Sequence, residues 1–361
     1  MPKKVVYLLG AGASAYALPV VKDFNIRLDF FRQFLISHGN INLKQFANQV
    51  ANVLNESAKH STIDTLAKKY FHSYLQNKQR LIELKRVLIG FFIYEQKIKN
   101  LKPIISNYSQ NDLDELLIKQ YEMTLEETII FQKRKKSNID PRYDSFIAAL
   151  LKPKQNVFEF PENVSILTWN YDSQIELTFK NFYEEKIVDI QRKLSVYPFY
   201  DLQPIEKYKK LLNAQNFKIL HLNGIADFID RAPPIGISQL DKETEDVIAD
   251  LLYADYFPNM TFAWERNGEL EPQSEQQREV FKEAIRLMST PCILVIIGYS
   301  FPYFNREIDK ELFMYPQNFS KIYVQDPNAE VIKETLLNVF RINRPGDIIT
   351  QDISQFILPP E

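Results

Sequence analysis

The sequence predicts an α/β protein: a doubly wound parallel sheet interrupted by a helical insertion. Three observations carry that prediction. First, Val5–Leu9 is a short apolar run of the kind found in buried parallel strands, and it ends in Gly10-Ala11-Gly12-Ala13-Ser14. Second, strand signals return at Val164–Thr168, 218–222, Cys292–Ile297 and 321–324, with helical patterns at 275–288 and 329–339. Strands alternating with helices imply a parallel sheet covered on both faces. Third, between about residues 20 and 130 glycine is scarce and apolar residues recur at helical spacing. Phe30, Phe31, Phe34 and Leu35 are one such set, and Leu81, Leu84, Leu88 and Phe92 another. The implied architecture is a Rossmann-like core made of residues 1–24 and 156–361, with a helical insertion module at 25–155.

Smaller features fit around this frame. Residues 142–151 read as a further short helix stopped near Pro153. Lys133 to Lys136 is a basic run beside Ser137-Asn138, a solvated loop by composition. Residues 188–212 and 241–271 fit neither period and read as loops or small helical excursions.

Composition excludes several function classes. The 44 basic and 46 acidic residues leave a formal charge of -2, whereas a bulk nucleic-acid or membrane surface requires a strongly basic face. The single cysteine, Cys292, rules out an intramolecular disulfide and a four-cysteine zinc ribbon. The apolar run before Gly10 is too short for a signal peptide or a membrane span, and no stretch of about 18 apolar residues occurs elsewhere. A soluble cytoplasmic protein is expected, without membrane or direct nucleic-acid contact. His38, His60 and His72 lie in the helical stretch at no metal-ligand spacing, so no metal site is expected.

Four strand ends carry residues capable of chemistry. In Gly10-Ala11-Gly12-Ala13-Ser14, glycines let the backbone approach a pyrophosphate, and amides at a helix N-terminus favour the anion. Gly10-x-Gly12-x-x-Ala15 also fits the general dinucleotide fingerprint; the alternative is a tight turn that binds nothing. The dehydrogenase version needs an acidic residue ending a second strand about 20 residues on. Residues 20–34 read as helix, which disfavours hydride transfer. In Thr168-Trp169-Asn170-Tyr171-Asp172, an extended backbone points Asn170 and Asp172 the same way. They either face a ribose, a carboxamide or a water, or they cap the helix expected at 173–180. In His221-Leu222-Asn223-Gly224, His221 and Asn223 share one strand face, opposite Leu220 and Leu222. Gly298-Tyr299-Ser300-Phe301-Pro302 follows the most apolar strand, with Gly298 allowing close ligand approach and Ser300 offering a hydroxyl. Asp326 ends the last predicted strand, where a carboxylate can accept bonds from ribose hydroxyls; Asp326-Pro327 is equally a turn.

In this order, GAGAS, TxNYD, His-x-Asn-Gly and GYSFP resemble the sirtuin-like family, above all its bacterial branch of NAD hydrolases in anti-phage defence. The similarity covers roughly the first 25 residues and most of 160–330. The resemblance implies that Gly10, Ala11, Gly12 and Ser14 hold the pyrophosphate and line the nicotinamide pocket. It further implies that Asn170 positions a water or the ribose, that Asp172 holds the carboxamide, and that Gly298, Ser300 and Asp326 hold the adenosine side. Two departures stand out. The family places histidine directly before the glycine, where this chain has Asn223 with His221 two residues earlier. Either His221 reaches the ribose, or Asn170 and Asn223 act without it. The family's Gly-x-Pro after the serine is replaced by Ala17-Leu18-Pro19, one residue early.

NAD is therefore expected as a substrate, cleaved to nicotinamide and ADP-ribose, with no zinc. The alternatives are a catalytically weak regulatory subunit that binds NAD or ADP-ribose, and after it an NAD-dependent protein deacylase. An NAD-depleting effector needs restraint. The resemblance thus implies a homo-oligomer or a second defence protein, an ATPase or a nucleotide-processing subunit. The aromatic helices between Phe24 and Phe92 are then either its contact surface or the module's own core.

Overall fold

The computed structural model describes residues 3–37, 41–98, 138–154, 157–198, 205–229, 238–242, 246–247, 250, 257–267, 275–342 and 348–360. The basic run at 133–136, the helical pattern beyond residue 98 and His38 lie outside them. The strands are β1 (Val5–Leu9), β2 (Lys152–Lys154), β3 (Val157–Glu159), β4 (Val164–Thr168), β5 (Val196–Tyr197), β6 (Lys218–His221), β7 (Gly224–Ile229), β8 (Phe257–Met260), β9 (Cys292–Ile297), β10 (Phe319–Gln325) and β11 (Ile348–Thr350). The helices are α1 (Phe24–Ser37), α2 (Ile41–Ser57), α3 (Ile63–His72), α4 (Tyr74–Ile93), α5 (Pro141–Leu150), α6 (Gln174–Lys180), α7 (Ile187–Lys193), α8 (Ile205–Leu212), α9 (Glu275–Met288), α10 (Arg306–Leu312) and α11 (Ala329–Phe340).

Seven strands form one parallel sheet in the order β11-β10-β9-β1-β4-β6-β5. Strand β1 is central, and the chain winds away from it first toward β4 and later toward β9. The gap between β1 and β9 is thus the topological switch point, where open α/β sheets bind ligands beyond the carboxyl ends of their strands.

Both faces of the sheet are buried, and alternation along each strand assigns the faces. Val6, Leu8, Leu294 and Ile296 pack beneath α8, α9 and α11. Tyr7, Leu9, Val295 and Ile297 pack beneath α5, α6 and α7. This two-sided burial is why β9 reads as an unbroken apolar run. The two outermost strands, β5 and β11, are only two and three residues long, too short to show a period in the sequence.

Helices α1–α4 form a second core with the antiparallel hairpin β7–β8. Leu28, Phe31, Phe46 and Phe91 meet Phe228, Met260, Phe262 and Trp264 there. The aromatics named here therefore fill the module's own interior. Helix α5 lies within the stretch that the sequence pattern assigns to the insertion, yet it packs on the sheet. Its apolar residues Tyr143, Phe146, Ile147 and Leu150 recur at i, i+3, i+4 and i+7 and face Tyr7 and Leu9. No helix of the described residues is long and apolar enough to cross a membrane.

Two buried ion pairs stiffen the module. Arg27 grips Glu95 through two bonds of 3.0 and 2.7 Å. Lys85 on α4 meets Glu265 at 2.7 Å, tying the module to the segment after β8. Removing one partner of such a pair strands a charge in the interior and costs about 3–5 kcal/mol. Glu265→Ala should lower the unfolding free energy in urea by that amount. The double variant Lys85→Met with Glu265→Leu should recover most of the loss.

Candidate functional site

Register aligns the strand ends. Leu9 pairs with both Thr168 and Ile297, Thr168 pairs with His221, and Ile297 with Gln325. The residues that follow, among them Gly10, Trp169 and Gly298, therefore emerge at one level along the carboxyl edge.

The loops after β1 and β9 meet backbone to backbone. The amides of Gly10 and Gly12 donate to the carbonyls of Ile297 and Gly298, each at 3.0 Å. A Cβ on Gly12 would sit 2.6 Å from Gly298 Cα, and one on Gly298 would sit 2.4 Å from the Ala13 nitrogen. Gly298 also has φ +61°, a conformation that disfavours other residues. In this structure the glycines let the two loops touch, and the Gly10 and Gly12 amides are already engaged. The strand does not run into a long helix either. A 3-10 turn, Ala11–Ser14, follows, with another at Val21–Asp23, and α1 begins only at Phe24. The helix-terminus field expected from the sequence is correspondingly weak.

Arg142 clamps this loop from α5. Its guanidinium donates to the Gly12 and Ala13 carbonyls at 2.9 and 3.1 Å and is held by Asp140 at 2.6 Å. It also stacks over Tyr16, 4.2 Å from the ring centre. Asp140 caps α5 and accepts the Tyr16 amide. The Asp140-Pro141 pair at a helix start was readable in the sequence as a cap. Its reach to Tyr16, 124 residues earlier, was not.

Above this edge lies a cleft of about 260 Å³, with one wall from the sheet edge and the other from the helical module. Gly10, Ala11, Ser14, Asn170, Asp172, Asn223, Gly298 and Ser300 all line it, as do the aromatic residues Phe24, Phe92, Trp169 and Tyr299. Of the sequence-predicted site residues, Gly12, His221 and Asp326 do not line it. Gly12 is spent on the loop contact described above. Asp326 is 8% exposed and accepts the Asn328 amide at 2.7 Å, forming the turn into α11.

The deep end of the cleft is a polar cluster. Asn170 Nδ2 donates to the Gly10 carbonyl at 3.0 Å and approaches Ser14 Oγ at 3.4 Å. Ser14 Oγ lies 3.2 Å from the buried Tyr143 hydroxyl and also bonds Asp172. Asp172 accepts the Gln174 amide at 3.2 Å, so it performs the capping role as well as facing the cleft. Burial pushes its carboxyl up to about 6, against the opposing pull of these hydrogen bonds. Asn223 is 6% exposed, and its Oδ1 has no partner among the described residues. A buried acceptor left open at a cleft wall is a place for a ligand donor.

His221 takes a different place. It still belongs to the hydrogen-bonded strand, so its side chain falls on the face covered by α6 and not in the cleft. Its Nδ1 lies 3.2 Å from the Asn170 carbonyl and its Nε2 3.3 Å from Glu176, with both side chains almost wholly buried. Burial alone would lower the imidazole pKa; Glu176 outweighs it and raises it. His221 and Asn223 share a sequence pattern but not a site, because the strand ends between them.

Further lining residues come from the module: Asn25, Ser61, Thr62, Ile63 and Asp64. Thr62 is the α3 cap, accepting the Thr65 amide at 3.2 Å. Nothing local in the sequence marks this helix start as part of a site, since the strand ends across the cleft lie from about fifty to more than two hundred residues away. No group of three or more His, Cys, Asp or Glu among the described residues could hold a metal ion. No protein-family model matches the chain, and no curated protein matches it.

The raised Asp172 pKa has a stability consequence with a definite sign. Between about pH 4 and 6 the folded state keeps a proton that the unfolded chain has released, so stability falls as pH rises through that window. Asp172→Asn keeps the acceptor for Gln174 and removes the buried charge. It should raise the melting temperature at pH 7.5, with the difference vanishing near pH 4, while weakening ligand binding. A melting temperature below wild type at pH 7.5 would contradict the assignment.

Proposed function

We propose that this cleft binds NAD and that the chain hydrolyses its nicotinamide–ribose bond, giving nicotinamide and ADP-ribose. The observation that carries the reading is the convergence of Ser14, Asn170, Asp172 and Asn223 on one aromatic-walled cleft at the switch point. The sirtuin-like order of the motifs holding these residues supports it.

The chemistry follows from charge. As the C–N bond breaks, its electron pair moves onto the nicotinamide nitrogen and neutralises the pyridinium ring. Positive charge develops on the ribose. A carboxylate already desolvated, as Asp172 is, stabilises that charge without reorganising. Water then adds to the anomeric carbon and loses a proton, and Asp172 is the carboxylate on the sheet side of the cleft to accept it. Asn170 uses its amide hydrogens to hold the Gly10 carbonyl and Ser14, and its Oδ1 has no partner among the described residues. That oxygen is suited to orient the water or a ribose hydroxyl. His221 acts through Asn170, by fixing its carbonyl.

A second reading, an NAD- or ADP-ribose-binding regulatory subunit, is favoured by Asn223 standing where the family has histidine. In the defence setting that the resemblance suggests, either form would work under restraint by self-association or a second protein.

Nicotinamide release from NAD by the purified protein separates the two readings. Wild type should turn over, Asn170→Ala should lose about 10²–10³ in rate, and His221→Gln should retain activity with a smaller loss. Tight NAD binding with no nicotinamide release would instead establish the regulatory reading.

A further inference from the structure

The cleft has a charge character that the sequence motifs do not convey. None of the described residues lining it is lysine, arginine or histidine, whereas two are aspartates. Asp172 stands on the sheet side and Asp64 on the module side. Asp64 lies in the first turn of α3, and among the described residues its carboxylate is met only by its own backbone amide, with no cation opposite. Burial raises its pKa for that reason. Lys68, one turn along the same helix, lies over the Phe304 ring at 5.2 Å and forms no ion pair with Asp64. The positive end of α3 offsets only about half a charge. Asp64 is half-buried at the cleft wall, and a carboxylate there with no protein cation beside it favours a ligand that supplies positive charge. The open, buried Oδ1 of Asn223 in the same cleft points independently to an absent ligand. Aromatic walls add a preference for a flat cation.

We propose that Asp64 sets the charge preference of the cleft, selecting the positively charged oxidised nicotinamide ring over its neutral reduced form. The inference rests on the NAD reading above and extends it to the module: α3 supplies a specificity-determining side chain as well as a wall. Asp172 stabilises charge at the reacting end, while Asp64 biases which redox form enters.

The test is equilibrium titration of the intact protein with carba-NAD+, a cationic analogue that cannot be hydrolysed, and with NADH. Wild type should bind the cation at least about tenfold tighter, the scale expected for one unit charge acting across a partly desolvated site. Asp64→Asn should collapse that ratio to about threefold or less, by weakening the cation and leaving NADH nearly unchanged, while Asp64→Glu should preserve it. Asp64→Ser, a residue compatible with a helix start, provides the same reading if the Asn variant misfolds. Equal weakening of both ligands, or an unchanged ratio, would overturn the role of Asp64 and leave the NAD reading standing. Failure of wild type to bind either nucleotide would overturn both.

Discussion

The contact on which the rest depends is the meeting of two loops at the switch point. Gly10 and Gly12 lie against Gly298 with no room for a side chain on any of them. That closeness holds the β1 and β9 ends together and leaves Ser14 facing the carboxyl edge. Arg142 then fixes the far side of the first loop by binding the carbonyls that the turn leaves outward. The glycines serve the protein's own packing first. The cleft is what remains once the loops are locked.

Around that lock the polar residues divide by depth. Asn170, Asp172 and Ser14 form a bonded cluster at the floor, with Tyr143 beneath it. His221 and Glu176 form a lower layer that touches the floor only through the Asn170 carbonyl. Across the cleft the module contributes aromatic rings and Asp64. A site with carboxylates on both walls and no described cation in its lining is poorly suited to an anionic group at its centre. It suits a cationic ring such as the one whose charge would disappear in the proposed hydrolysis. Burial is the main cause of the raised pKa of both carboxylates, acting against the hydrogen bonds each accepts.

Much of this was legible in the sequence, for reasons that differ by element. Strands β1, β4, β6, β9 and β10 lie inside the sheet, and each carries consecutive apolar residues, from Ile219-Leu220 in β6 to all six residues of β9. The polar groups just past them, at Asn170, Asp172, Asn223 and Ser300, do gather in one cleft because parallel register brings strand ends to one level. His221 shows where such reasoning stops. Alternation places it on the face of Asn223, but the strand ends between the two, and burial under α6 follows from tertiary packing alone. Asp326 stands beyond β10, two strands from β1, and becomes a turn residue. Arg142 and Asp64 carry local signals of helix starts and nothing more. Arg142 reaches a loop 130 residues earlier, and Asp64 shares a cleft with residues far from it in the chain, which no local period encodes.

Trp169 offers the most direct test of where the ligand goes. It lines the cleft and stacks near Tyr299 at 6.0 Å, and Trp264 is the chain's other tryptophan. In a Trp264→Phe variant, which leaves Trp169 as the sole indole, titration with carba-NAD+ should change the emission saturably and in step with calorimetric binding. Calorimetric binding with no change in Trp169 emission would place the nucleotide elsewhere on the protein and contradict the account.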